Sequence, residues 1–383
     1  MENKKIAFLT IDLLGERSYS INYHLLLSIR NLIDVVENVH ITIFSCIINS
    51  KRQRSFVEIL TENEIDIPRN KIECKTLDYR DINENGRILS RYDVLFTEMY
   101  IWVDSIHMAK KYNSNLKIVA WIHSLLRQEY ICNRHSKWME YDLYVNMQER
   151  LIDISDRVVF DSNYDKDIAN RFYNCGEKFV TIYPVPTSVT LDNIDDHLEN
   201  HAPIRLMYAG RWEYRKGIEN LIPAFFKCYT EFGMSLTILS DTGFLDNYKD
   251  LFVSPIVLRM FECLFEREAI RITQWKNSRS DYVKYMKENA DIVVVPSLYD
   301  PFNIIVYDCI NNAIPVVISN FCGVTELLND NMLLEKINPY DAENIFKGVN
   351  RMRDKMKSYL KPPQISYNND NAKADLIKLY HQF

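Results

Sequence analysis

The sequence predicts an α/β protein made of two doubly wound parallel-sheet domains facing across a cleft. Short β-branched runs alternate with longer helix-period segments, the pattern of a parallel sheet covered on both faces. That rhythm breaks once, at 184–203, where Pro184 and Pro186 precede the polar, acidic stretch LDNIDDHLENHAP, and then restarts. A chain of 383 residues is long for one domain and suits two.

In the first half, strands are expected at 5–10 (KIAFLT), 40–45 (HITIFS), 93–98 (DVLFTE), 116–121 (LKIVAW), 157–160 (RVVF) and 179–183 (FVTIY). Helical spacing covers 21–36, 101–112, 138–155 and 162–173. In the second half, strands are expected at 204–209, 235–240, 269–273, 291–296 and 315–319. Helices are expected at 302–312 and near 342–359, the latter ended by Pro362 and Pro363. The boundaries are therefore 1–187 and 188–365, with 366–383 a C-terminal helical segment expected to pack back on the first domain. The cleft between two such domains is the default binding site.

Composition narrows the function. Hydrophobic residues make up 47% of the chain, ample for two cores, and the formal charge of −6 argues against a nucleic-acid partner, which needs a basic face. No apolar run approaches the roughly 18 residues of a membrane span. MENKKIAFLT enters a strand without a signal-peptide pattern, so a cytoplasmic location is expected. The eight cysteines are scattered without metal-ligand spacing and read as small core residues.

Chemistry concentrates in the second half. Strand 204–209 delivers Gly210-Arg211-Trp212-Glu213-Tyr214-Arg215-Lys216-Gly217 and then a helix. A helix N-terminus favours anions. Arg211 suits bidentate phosphate contacts and Lys216 a point-charge contact, whereas Arg215 reads as a solvated basic residue. Downstream, Asn320 to Glu326 follows another strand and is expected to open another helix, with Gly323 allowing close backbone approach to a ligand. A diphosphate held between the two turns accounts for both.

Between them lies PSLYDPFNIIVYDCINNAIPVV, 296–317, which carries Asp300 and Asp308 with seven residues between them. At ~1.5 Å of rise per helical residue the two acids stand over about 10 Å apart, too far for a glycosidase pair and suited to gripping two parts of an extended ligand. Asp300, before Pro301, also fits an N-cap.

Together these motifs resemble the GT-B glycosyltransferases, specifically retaining family 4, the glycosyl transferases group 1. G-R-x-x-x-x-K-G is intact at 210–217; PSLYDPFNIIVYDC stands for P-S-x-x-E-P-F-G-x-x-x-x-E-A; AIPVV and CGVTE stand for G-x-P-V-V and G-G-x-x-E, with Glu326 matching. The resemblance covers most of the second half and, in the first, mainly the rhythm. It implies two Rossmann-like domains, 1–187 binding the acceptor and 188–365 the nucleotide-sugar donor. It gives Arg211 and Lys216 the donor diphosphate, Asp308 the nucleotide ribose and Asp300 the donor sugar, with Gly210, Trp275, Phe302, Asn303, Ile304 and Gly323 completing the donor side. The base is expected near Thr273 to Lys276. It also places a histidine, His123 here, facing the donor sugar, although a lone histidine is more often structural. His123, Arg211, Lys216 and Asp300 are thus the catalytic candidates. Gly15, Glu16 and Arg17, after the first strand, line the acceptor side with His123.

There are departures. Both family glutamates are aspartates, and the PFG glycine is Asn303, which tolerates left-handed backbone angles. Other glycines are lost at Cys322, near Ile314 and along Ser240 to Thr242. The implied activity is transfer of a sugar, with retention, from a nucleotide-sugar to a hydroxyl of a saccharide, lipid-linked or small-molecule acceptor in glycan synthesis. UDP is the favoured nucleotide because it is common in such enzymes. No cofactor is expected and no metal, since no D-x-D follows an apolar strand. The departures motivate an alternative, a non-catalytic GT-B subunit supporting a partner; an epimerase is a third reading. Aromatics at 98–102 and 121–130 are mostly core with some suited to stacking on a sugar. Leu125 to Trp138 mixes apolar and basic residues, a composition suited to weak peripheral membrane contact.

Overall fold

The computed structural model describes residues 4–14, 20–36, 39–46, 54–62, 65–133, 141–174, 176–185, 203–240, 248–274, 278–328, 333–356 and 367–383. Two compact units emerge: Met1–Arg127, His135–Pro186 and Asn368–Phe383 form one, and Gln128–Arg134 with Thr187–Tyr367 the other. The stretch 128–134 thus groups with the second unit, although its place in the sequence lies inside the first half.

In the first unit, β1 (Lys5–Ile11), β2 (His40–Cys46), β3 (Ile72–Thr76), β4 (Val94–Thr97), β5 (Lys117–Ile122), β6 (Arg157–Phe160) and β7 (Phe179–Thr181) form a parallel sheet in the order β3-β2-β1-β4-β5-β6-β7. Its described helices are α1 (Ser20–Val35), α2 (Phe56–Glu62), α3 (Ile82–Leu89), α4 (Val103–Tyr112), α6 (Tyr141–Ile154) and α7 (Asn163–Phe172); α5 (Leu126–Cys132) starts in this unit, and from Gln128 onward it groups with the second. Central strands are apolar runs because both faces are covered. Ile6, Phe8, Ile41, Ile43, Val94 and Phe96 pack against Leu25, Leu26, Ile29 and Leu32 of α1. Phe8 and Phe96, paired in register on neighbouring strands, stack with centroids 4.7 Å apart.

The second unit repeats the plan with β8 (Arg205–Ala209), β9 (Ser235–Ser240), β10 (Ile270–Gln274), β11 (Ile292–Val295), β12 (Val316–Ser319) and β13 (Leu334–Ile337), ordered β10-β9-β8-β11-β12-β13 and parallel throughout. Its described helices are α8 (Ile218–Phe232), α9 (Pro255–Glu266), α10 (Arg279–Asn289), α11 (Ile304–Asn311) and α12 (Ala342–Lys355). The last helix, α13 (Asn369–Tyr380), belongs to the first unit: Asn368 closes a capping box, Leu376, Leu379 and Tyr380 enter that unit's core, and Lys373 lies 3.0 Å from Asp34 of α1.

Three local expectations change. The segment after Asn320 is a 3₁₀ turn, Gly323–Glu326, not an α-helix. α11 begins at Ile304 with Asn303 as its cap, so Asp300 is not the N-cap. The edge strands β3 (IECKT) and β13 (LEKI) were not expected, because charged residues interrupt their apolar pattern, as is common where one strand edge faces solvent.

The strand order reverses between β8 and β11, and ligands of open α/β sheets bind outside the carboxyl ends of strands at such a point. The turn after β8 and the segment after β11 meet there through backbone. Gly217 has φ 76°, and a Cβ on it would lie 1.8 Å from the Pro296 carbonyl oxygen. Leu298 N–H donates to the Arg215 carbonyl at 2.7 Å. Gly217→Ala meets both the left-handed backbone and the carbonyl, so it is expected to destabilise by more than about 1 kcal/mol. A urea melt checks this; an unchanged midpoint would contradict the packing.

Candidate active site

The turn after β8 carries three cations, each in a different setting. Arg211 is the open one, with 63% of its side chain exposed and Nη1 2.9 Å from Glu213 Oε1. Lys216 is largely enclosed and places Nζ 2.7 Å from Asp300 Oδ2. Arg215 is buried between Glu213 and Glu129, at 2.8 and 3.0 Å, which corrects its reading as a solvated residue. It belongs to a 3₁₀ turn, Tyr214–Lys216, and is buried where Arg211 is exposed. Gly210 is buried above the Tyr208 ring.

Asp300 is built into the segment after β11. Its N–H donates to the Phe321 carbonyl at 3.0 Å, and its carbonyl accepts from Gly323 N–H at 2.9 Å, so the two loops are bridged by backbone. The Gly323 amide is thereby engaged. Asn303 has φ −104°, so it does not use the left-handed conformation expected of it. Its amide instead works twice: Oδ1 accepts from Val306 N–H at 3.2 Å to cap α11, and Nδ2 donates to Asp300 Oδ2 at 2.8 Å. A glycine could do neither. Burial would raise the Asp300 carboxyl, but the charges of Lys216 and Arg215, with hydrogen bonds from Lys216 and Asn303, hold it below its ordinary value. Phe302 is buried and Ile304 is the first, partly buried residue of α11.

Asp308, on the following turns of α11, is fully enclosed. Arg279 engages both of its oxygens, with Nε 3.0 Å from Oδ2, and the Tyr282 hydroxyl donates to the same Oδ2. Any ribose contact by this carboxylate therefore requires Arg279 or Tyr282 to yield. Neither partner was picked out from the sequence; both belong to the first turn of α10, Arg279 four and Tyr282 seven residues beyond Trp275, and that proximity was the available signal.

In the first unit, Glu98, His123 and Asp161 follow β4, β5 and β6, three adjacent strands, and converge at their carboxyl ends. His123 Nδ1 lies 3.0 Å from Asp161 Oδ2, and Nε2 lies 3.2 Å from Glu98 Oε1. Trp121 Nε1 donates to Asp161 Oδ1 at 2.8 Å, and His24 stacks on the imidazole with centroids 5.6 Å apart. Burial works against a charged imidazole, but the two carboxylates outweigh it and push His123 up to about 10. Both ring nitrogens are thus committed. Glu98 and Asp161 escaped sequence reasoning, although each is an acid directly after an apolar strand. Trp102 is core, its Nε1 donating to the Thr10 carbonyl at 3.1 Å. Gly15, Glu16, Arg17 and Trp275 lie outside the described residues, as do 134–138 of the stretch considered for membrane contact. The left-handed residue at the end of β1 is Asp12, with φ 47°. No described helix is long and apolar enough to cross a membrane.

Residues 261–368 match the family model for glycosyl transferases group 1. An uncharacterized glycosyltransferase of Methanocaldococcus jannaschii is 27% identical over 175 residues, 46% of this chain and 40% of that protein, so the match spans two-fifths of this curated relative. Among solved structures, sucrose-phosphate synthase of Thermosynechococcus elongatus superposes with TM-score 0.68 at 14% identity, covering 99% of each chain. The Anabaena protein HepE, solved with UDP and glucose, superposes with TM-score 0.67 at 13% identity, covering 100% of each chain. Two parallel-sheet units of this kind define a protein of the GT-B fold. The stretch that matches the glycosyl transferases group 1 model lies almost wholly in the second unit.

The paired carboxylates should keep His123 protonated well above its ordinary titration. Because its folded value lies above the unfolded 6.5, its contribution to stability is complete below about pH 6.5 and fades as pH rises toward about 10. Histidine NMR should show one imidazole still charged at pH 8. Titration of every histidine near 6.5 would contradict the geometry.

Proposed function

We propose that the protein is a retaining glycosyltransferase that moves a sugar from a nucleotide-sugar to a hydroxyl of a saccharide, lipid-linked or small-molecule acceptor. The observation that carries this reading is the meeting of the turn that bears Arg211 and Lys216 with the Asp300 segment, through the Lys216–Asp300 pair, at the strand-order reversal of the second unit; Asp300 lies within the stretch that matches the glycosyl transferases group 1 model. UDP is the favoured nucleotide, since HepE, of similar fold, was solved with UDP and glucose.

In this scheme Arg211 and Lys216 stabilise charge on the leaving diphosphate, aimed where charge develops during bond cleavage. The departing diphosphate takes the acceptor proton as the new bond forms on the same face, which retains configuration and calls for no metal. Asp300 accepts hydroxyls of the donor sugar after exchanging Lys216 to phosphate. Asp308 acts on the ribose side through Arg279 and Tyr282 or after their displacement. His123 belongs to the acceptor side; to reach a sugar hydroxyl its Nε2 must leave Glu98. The non-catalytic alternative is not favoured: Asn303 supplies a cap and an Asp300 partner where a lost glycine had suggested decay.

A thermal-shift screen against UDP, GDP, ADP and their sugar conjugates should single out one nucleotide, since a ligand of the folded state raises stability as RT ln(1 + [L]/Kd). With that donor, Arg211→Ala and Lys216→Ala should each lower kcat about ten- to a thousandfold. Near-normal turnover in both variants would sink the assignment.

A further inference from the structure

Arg215 has no place in the scheme above, yet its buried guanidinium organises the turn that carries it. Nε lies 2.8 Å from Glu213 Oε2 and Nη2 lies 3.0 Å from Glu129 Oε1. Nη1 donates to the Tyr299 carbonyl at 3.3 Å. The backbone is held as well: Arg215 N–H donates to Asn133 Oδ1 at 2.9 Å, and its carbonyl accepts from Leu298 N–H at 2.7 Å. Only 3% of the side chain is exposed, so no ligand meets it directly.

Two of these contacts lead to the proposed diphosphate ligands. Glu213 spans two arginines, with Oε2 on Arg215 and Oε1 on Arg211, so the buried residue fixes the carboxylate against which the exposed one rests. Tyr299 immediately precedes Asp300, the partner of Lys216. A planar fork with donors in fixed directions can hold two carboxylates and a carbonyl at once, whereas an ammonium on a flexible stem cannot set those angles.

We propose that Arg215 is a positioning residue for diphosphate binding: through Glu213 it aims Arg211, and through Tyr299 it sets Asp300 beside Lys216. This rests on the reading of the turn after β8 as a diphosphate site. Glu129 and Asn133 extend the same role to the stretch 128–134, which is thereby tied to the turn within the second unit.

The test is calorimetric titration of the full chain and its Arg215→Gln and Arg215→Lys variants with inorganic pyrophosphate, a probe that carries no base, and with UDP. Whichever of the two the wild type binds serves as the readout, with a thermal melt of each variant alongside. Arg215→Gln is expected to weaken binding by about tenfold or more, the scale of a charge-assisted contact. Arg215→Lys keeps the charge and should still lose about threefold or more, since the fork geometry is missing. Folded variants that bind as the wild type does would overturn the proposal, however much their melting temperatures fall. If the glutamine variant does not fold, the lysine variant decides. Failure of both to fold assigns Arg215 to stability alone and also overturns it. A wild type that binds neither probe removes the diphosphate reading itself, and the role of Arg215 falls with it. Binding of pyrophosphate without UDP corrects only the choice of base, and the variants still decide for Arg215.

Discussion

The ion pair between Lys216 and Asp300 is the constraint around which the second unit's site is arranged. Taking two charges out of water costs several kcal/mol per ion, and close geometry with further hydrogen bonds must offset that. Here Asn303 donates to the carboxylate at 2.8 Å, Ser297 stands 3.3 Å away, and the buried Arg215 adds charge nearby. The turn contributes Arg211, Arg215 and Lys216; Glu129, Glu213 and Asp300 face them. Three cations thus balance three carboxylates before any ligand is considered. On the proposed reading, a diphosphate entering this cluster competes with Asp300 for Lys216, so its affinity would depend on how readily that pair opens.

Topology makes the cluster possible. β8 and β11 are neighbours at the reversal of strand order, so the residues leaving each strand emerge side by side. Gly217 lets the first turn press on the Pro296 carbonyl, and the Asp300 backbone pairs with Phe321 and Gly323 in the next loop. Three loops are locked by main-chain contacts, and the charged side chains rest on that frame. The first unit uses the same device with different chemistry: three adjacent strands end in Glu98, His123 and Asp161, and an imidazole holds two carboxylates together.

Most of this architecture was legible in the sequence because apolar runs of central strands are long and unbroken; β1, β2, β8 and β11 fall where expected. The edge strands were not, because two charged residues interrupt the two apolar ones in LEKI of β13 and leave no apolar run. Arg211, Lys216 and Asp300 were legible through motif spacing. What spacing cannot give is which way a side chain turns. Arg215 reads as a solvated cation because its carboxylate partner Glu129 lies far back in the chain, and the pairing of Asp308 with Arg279 is hidden because the two stand 29 residues apart. Asn303 reads in the sequence as a substitute for a glycine, whereas its two hydrogen bonds give it roles that a glycine lacks.

The central claim is that the second unit recognises a diphosphate through the turn after β8. Calorimetric titration of the wild type with UDP and UMP at one low ionic strength tests it most directly. The account requires UDP to bind about tenfold or more tighter than UMP, close to 1.4 kcal/mol. Equal affinities would mean that the second phosphate meets no organised charge, and would contradict the account.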